Sequence, residues 1–200
     1  MTTTVEKETV VTRADWVPGP KQGHWTYNHY AALTEDGRRY EIVDGVLFMT
    51  PSPSEHHQQT VGWFFHYLLT HVQIAGFGRV YVAPFDVELA YDTVVQPDVV
   101  VVLNANIHKI VPSRIVGGPD LVVEVSSPGT VGHDRRKKQD AYARAGVKEY
   151  WIADPAAHTV EVLVLEGDSY HSTHVFSGKE TLPSQVVPTI AEVRVEQFFV

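Results

Sequence analysis

The sequence contains no cysteine. Disulfides, cysteine-ligated zinc, iron–sulfur clusters and thiol catalysis are therefore excluded. Long apolar runs are missing as well. The longest, such as Val99 to Leu103, fall far short of the ~20 residues that cross a bilayer. No apolar signal core marks the amino terminus, where Met1 to Asp15 mixes Thr, Glu, Lys and Arg. A cytoplasmic protein without membrane contact is expected. Nor is there a basic excess: the net charge is −8 over 200 residues, which argues against a general nucleic-acid coat. Internal repeats and low-complexity tracts are absent too.

What is present is globular composition, 44% hydrophobic and 20% charged. The length fits one domain with a core that needs no staples. The charge is uneven. His133 to Lys148 holds six basic residues (Arg135, Arg136, Lys137, Lys138, Arg144 and Lys148) against Asp134 and Asp140. A basic patch on an otherwise acidic chain fits an anionic ligand met at one place.

Residues 1–23 lack periodicity and read as a flexible leader, with a single domain over 24–200. Thr26 is placed to cap a short helix through Leu33. Asp44-Gly45 signals a hairpin within Arg39 to Met49. Ser54 can cap the next element, a helix from Glu55 to about Ala75 with Val61, Phe64, Phe65, Leu68, Leu69 and Val72 at helical spacing. Arg79–Leu89 and Val94–Leu103 read as strands, the second buried on both faces. Asn104 to Gly118 is irregular. Asp120–Ser126 is a third strand, Pro128-Gly129 a turn, Asp134–Ala145 a helix and Glu149–Asp154 a fourth strand. Val160–Leu165 and Tyr170–Phe176 form an antiparallel hairpin, and the tail adds a strand or short helix. The core order is helix, strand, strand, strand, helix, strand. This predicts an α/β fold with a central mixed sheet flanked by helices, an N-terminal helix and hairpin, and a C-terminal β extension.

Strand alternation puts Leu121, Val123 and Val125 on one face and Val122 and Glu124 on the other. A mid-strand carboxylate needs a partner, a metal or a raised pKa. A salt bridge to a helix lysine is one solution. Gln96-Pro97-Asp98 opens the Val-rich strand, since proline is tolerated at a strand's first position. Asp98 can be a plain turn residue there. If the two strands are neighbours, Asp98 and Glu124 converge, and the two carboxylates repel unless a cation lies between them. Mg²⁺ or Mn²⁺ suits such oxygen ligands. Lys138, on the following helix, either forms an i,i+4 pair with Asp134 or brings its ammonium to the same point, where it orients water or offsets phosphate charge.

Several motifs occur in order: Tyr40-Glu41-Ile-Val-Asp44-Gly45, His57, Gln96-Pro97-Asp98-Val-Val-Val-Val102 and Pro119-Asp-Leu-Val-Val-Glu124-Val-Ser-Ser-Pro128. Asp134-x3-Lys138-x3-Tyr142-Ala-x-Ala-Gly146-Val and Glu149-Tyr-Trp-Ile-Ala-Asp154-Pro155 follow. Over about Trp25 to Leu165 the chain resembles the Uma-two family, described as putative restriction endonucleases, within the PD-(D/E)XK nuclease superfamily. The resemblance implies a restriction-endonuclease-like core and divalent-metal-dependent phosphodiester hydrolysis of nucleic acid, DNA first. It puts Asp98 at the first acidic position and Glu124 at the second, with the Val125 carbonyl completing the metal ligands. The superfamily lysine two residues after Glu124 is replaced by Ser126, and Lys138 takes its role from the helix. Glu41 and His57 match further family positions. Glu41 would add a carboxylate or hold Lys138, or else lie on the hairpin surface. His57 would reach metal-bound water or phosphate, or be structural. Arg135, Arg136 and Lys137 are candidate phosphate contacts on what is otherwise a solvated helix face. Tyr142, Tyr150 and Trp151 read as core. Pro119-Asp120 is a rival to Asp98, placed too close to Glu124 on its own strand.

Cutting two strands favours two sites, so a homodimer is expected. The alternative is an inactive nuclease-fold module that binds nucleic acid or a protein. A serine hydrolase built on Ser126 or Ser127 lacks the G-x-S-x-G elbow. A histidine-ligated metal protein would use His56-His57 or His171-x-x-His174, without H-E-x-x-H context. Gly76-Phe-Gly78 follows a helix and opens a strand, the reverse of a dinucleotide fingerprint.

Overall fold

The computed structural model describes residues 11–126 and 133–200, with the side chains of residues 133–135 outside that description. The expected Pro128-Gly129 turn, the Arg135 side chain and residues 1–10 therefore lie outside the described residues.

Residues 11–23, expected as leader, are tied to the fold. Strand β1 (Thr12–Arg13) pairs with β3, Ala14 is fully buried and its N–H donates to the Leu47 carbonyl. Helix α1 is short, Tyr27–Ala31 rather than through Leu33. The Thr26 hydroxyl meets His29 Nδ1 at 2.7 Å and caps no backbone N–H. Strands β2 (Arg39–Val43) and β3 (Val46–Thr50) form the expected hairpin. Asp44 and Gly45 both have positive φ, 50° and 72°, as a two-residue turn of the twist-matched kind requires.

Helix α2 (Glu55–Leu68) starts at Ser54, whose hydroxyl accepts the His57 N–H at 3.3 Å. It runs on as a π-helical turn over Leu69–Ile74, so the predicted end near Ala75 holds. The two strands expected next are each broken. Arg79–Leu89 divides into β4 (Gly78–Val82) and β5 (Asp86–Ala90) around Pro84. Val94–Leu103 divides into β6 (Thr93–Val95) and β7 (Val99–Leu103), because Pro97 has no N–H to continue a ladder. In each case the halves join different sheets. Asn104–Gly118 is less irregular than expected: a 3-10 turn, then β8 (Ile110–Val111) and β9 (Arg114–Val116). Strand β10 (Leu121–Val125), helix α3 (His133–Arg144), β11 (Glu149–Asp154) and the hairpin β12 (Thr159–Glu166) and β13 (Ser169–Ser177) match expectation within a residue or two. The tail forms two 3-10 turns rather than a strand, and Phe198 stacks on Phe64 with ring centres 4.2 Å apart.

The central sheet has the order β13-β12-β11-β10-β7-β4. Its one parallel pair, β10 and β11, is bridged by α3, as a parallel connection demands. A second sheet, β1-β3-β2-β6-β5-β9-β8, was not anticipated. The central strands bury both faces. Val99, Val101, Leu121, Val123 and Val125 pack toward α2 and the tail. Val100, Val102 and Val122 pack with Tyr142 of α3 and with Val43, Val87 and Val95 of the second sheet. The layers are thus α2 with the tail, the central sheet, then α3 with the second sheet.

Candidate active site

The register of β10 against β7 pairs Val123 with Val99. One step further along both strands sets Glu124 opposite Asp98. The sequence expectation that these carboxylates converge therefore follows from strand pairing. Asp98 sits at the crossing from one sheet to the other, where Pro97 ends the ladder. Its Oδ2 accepts the Val125 N–H at 2.8 Å and faces His57 Nε2 at 3.2 Å. His57 comes from the first turn of α2, so Asp98 is gripped from the tail side of the sheet.

Glu124 is gripped from the other side. Its Oε1 accepts the Tyr142 hydroxyl at 2.7 Å and the Lys138 ammonium at 3.2 Å. Lys138 also meets both oxygens of Glu41 at 2.9 Å. Glu41 is 2% exposed, so it is no surface hairpin residue. It also accepts the Gln96 N–H at 2.8 Å, which ties β2 to the turn that carries Asp98. Five of the sequence-predicted residues, Glu41, His57, Asp98, Glu124 and Lys138, are thereby brought to one place.

The electrostatics are unbalanced toward negative charge. Burial pushes the Glu124 carboxyl up; Lys138 pulls it down, but Asp98 and Glu41 push it further up. Burial works against a charged His57, yet the hydrogen bond and charge of Asp98, with Glu124 beyond, outweigh it and raise its pKa. Three carboxylates face one lysine and one histidine. Asp98 Oδ1 and Glu124 Oε2 make no hydrogen bond among the described residues. Two like-charged carboxylates, each with an oxygen to spare, fit a hard divalent cation. No three His, Asp or Glu side chains among the described residues form a ready cage. A cation here would draw on Asp98, Glu124, main-chain oxygen and water, as Mg²⁺ does.

Other candidates separate from this point. Asp120 is 1% exposed and accepts from the Leu103 N–H at 2.8 Å, Asn106 at 2.8 Å and Lys148 at 2.9 Å. It staples the far end of β10. Ser126 Oγ donates to the Ala153 carbonyl at 2.9 Å. His171 and His174 lie on β13 and face Glu166 and Glu180 singly. Arg136 is exposed and Lys137 half-buried on α3.

Two participants were not expected at the site. Tyr142 is core, as read, but its hydroxyl is also a Glu124 ligand. It lies four residues after Lys138, hence on the same helix face. Arg39 precedes Glu41 by two and so shares its strand face. Its Nε donates to Gln96 Oε1 at 3.1 Å and its Nη2 to the Gln96 carbonyl at 3.3 Å.

These elements define an α/β protein whose mixed sheet carries two acidic residues at adjoining strands and a lysine from the crossover helix. The chain belongs to the Uma2 family, described as "Putative restriction endonuclease", whose model matches residues 27–196. It is similar in fold to a crystal structure of a putative nuclease belonging to DUF820 from Anabaena variabilis, with a TM-score of 0.71. That likeness carries 19% sequence identity and covers 88% of this chain and 97% of the other. No functionally curated protein matches the chain.

Proposed function

We propose that the protein is a divalent-metal-dependent endonuclease that hydrolyses phosphodiester bonds, with DNA as the first candidate substrate. The observation that carries this reading is the meeting of Asp98, Glu124 and Lys138 at one end of two paired strands. Family membership supports the same reaction class.

Asp98 and Glu124, with the Val125 carbonyl, would hold Mg²⁺ or Mn²⁺. When bound, such an ion supplies charge neutralisation and a more acidic water. Hydrolysis forms a bond from water oxygen to phosphorus as the opposite phosphorus–oxygen ester bond breaks. Lys138 stands where its ammonium can orient the attacking water and offset the charge that grows on the phosphoryl oxygens. Glu41 aims Lys138, and Tyr142 fixes Glu124. His57 uses its Nε2 on Asp98, and its Nδ1 is buried without a hydrogen-bond partner among the described residues. Its role is to position Asp98 rather than to touch phosphate.

The test is cleavage of labelled plasmid, linear duplex and single strands with Mg²⁺, Mn²⁺ or EDTA, beside Glu124→Gln and Lys138→Met. Metal-dependent cutting by the parent and a large loss in both variants is expected. Folded parent protein that cuts nothing with metal present would overturn the enzyme and favour a binding module.

A further inference from the structure

We propose that Arg39 grips a backbone phosphate of the bound nucleic acid beside the one that is cut, and so positions the substrate. This rests on the nuclease reading above. It adds a residue that neither the motifs nor the basic helix α3 supplies.

The argument begins with β2. Side chains two apart on a strand share a face and stand ~7 Å apart along it. Glu41 contacts Lys138, so Arg39 emerges on the active-site side, one step nearer the strand's start. Its guanidinium is not adrift. Two of its nitrogens rest on Gln96, at 3.1 and 3.3 Å, immediately before Pro97-Asp98. Its charge reaches His57, where it opposes protonation.

What it lacks is a counter-ion. Among the described residues Arg39 makes no ion pair, although Glu41 stands two residues on along the same strand face. The only hydrogen-bond partners of its guanidinium among the described residues are neutral oxygens of Gln96. The other half-buried arginine among the described residues, Arg114, is fully matched: Glu88 at 2.7 Å, with the Tyr27 ring 3.9 Å beneath it. Arg39 Nη1 has no hydrogen-bond partner among the described residues, and it is not sealed from solvent. A half-buried guanidinium, held on one edge and open on the other, matches the paired oxygens of a phosphodiester. Because Gln96 already orders the side chain, less rotamer freedom is lost when the anion arrives.

A rival role is structural, with Arg39 only propping the Gln96–Asp98 turn. Kinetics separate the two. Arg39→Gln and Arg39→Lys are compared with the parent and with Arg194→Gln, an exposed tail arginine. KM and kcat for a labelled duplex are measured with Mg²⁺ between about 50 and 200 mM salt. Melting with and without Mg²⁺ reports folding and metal binding. For Arg39→Gln we expect KM to rise about tenfold with kcat nearly unchanged, as for a lost charge-assisted contact. The slope of log KM against log salt should fall by about 0.9, one phosphate contact. Arg39→Lys should keep the slope with an intermediate KM, because the charge stays and the fork is lost. Arg194→Gln should match the parent, and the Mg²⁺-induced melting shift should be common to all four proteins.

A fall in kcat at constant KM, with a smaller Mg²⁺ shift in Arg39→Gln, overturns the proposal in favour of the prop. Variants identical to a parent that cuts also overturn it, and leave the nuclease reading intact. A parent that neither binds nor cuts the duplex overturns both.

Discussion

One oxygen of Glu124 takes the Lys138 ammonium and the Tyr142 hydroxyl together, at 3.2 and 2.7 Å. That oxygen is therefore fixed from two directions, and the other is left to face the site. Tyr142→Phe keeps the ring in its packing but removes the hydroxyl. A hydrogen bond to a charged group contributes about 1.5–3 kcal/mol, so a drop of several degrees in Tm is expected. Glu124 would also gain rotational freedom. Small misplacement at a reacting centre costs about ten- to a hundredfold in rate, so kcat should fall in that range. The metal concentration for half-maximal activity should rise with it. A Tm drop with unchanged kcat and metal dependence would leave Tyr142 a packing residue only. Asp98 and Glu124 were legible because an isolated mid-strand carboxylate and a strand-opening Pro-Asp are chemically odd, whereas Glu41 and His57 came from the family resemblance and Lys138 from that resemblance together with its place on the following helix. Tyr142 was not legible, because a tyrosine in an apolar helix face looks like ordinary core. The signal was there in its four-residue spacing from Lys138. Arg39 was hidden in the same way by Arg38 beside it, and only the face shared with Glu41 separates them.

At the level of elements, the site depends on one helix start, one helix face and one broken strand. His57 lies in the first turn of α2, which Ser54 caps. Ser54→Ala removes that cap, a loss of typically about 1 kcal/mol. For a chain of this length that lowers Tm by about 2–4 °C. Because Asp98 is also held by the Val125 N–H, cleavage should persist at temperatures well below the melt. Scanning calorimetry beside a cleavage assay checks both halves. A complete loss of cleavage without a Tm change would mean that the cap serves Asp98 rather than the helix. The helices and the β12–β13 hairpin were readable from periodicity and turn residues. The breaks at Pro84 and Pro97 were not: Ala83 and Phe85 carry the apolar pattern past Pro84, and the valines on both sides of Gln96-Pro97-Asp98 share one strand-like pattern. Val94-Val95 and Val99 to Leu103 read as one buried strand, yet they serve two sheets. The second sheet was missed for that reason: its strands are short and partly hidden inside longer apolar runs. The break is also what delivers Asp98, for a strand continuing through position 98 would point it by alternation rather than by the turn.

For the whole molecule the surplus of negative charge at the site has a thermodynamic consequence. Burial, Asp98 and Glu41 all disfavour the ionised Glu124, so the metal-free fold holds a carboxylate it does not favour. A divalent ion that binds the folded chain and not the unfolded one stabilises it by mass action, by about 2.7 kcal/mol at a hundred times Kd. At about 2–4 °C per kcal/mol for a chain of this size, Mg²⁺ or Mn²⁺ should raise Tm by roughly 5–10 °C. Glu124→Gln removes the disfavoured charge and keeps the shape. Without metal it should melt no lower than the parent, and with metal it should gain little. EDTA should reverse the parent's gain and leave the variant where it was. The contrast matters more than either curve. Equal metal-induced gains in parent and variant would place the ion elsewhere on the acidic surface and remove Glu124 from its ligands. A parent that gains nothing at saturating metal would remove the ion from the site altogether, and with it the hydrolytic mechanism built on Asp98 and Glu124.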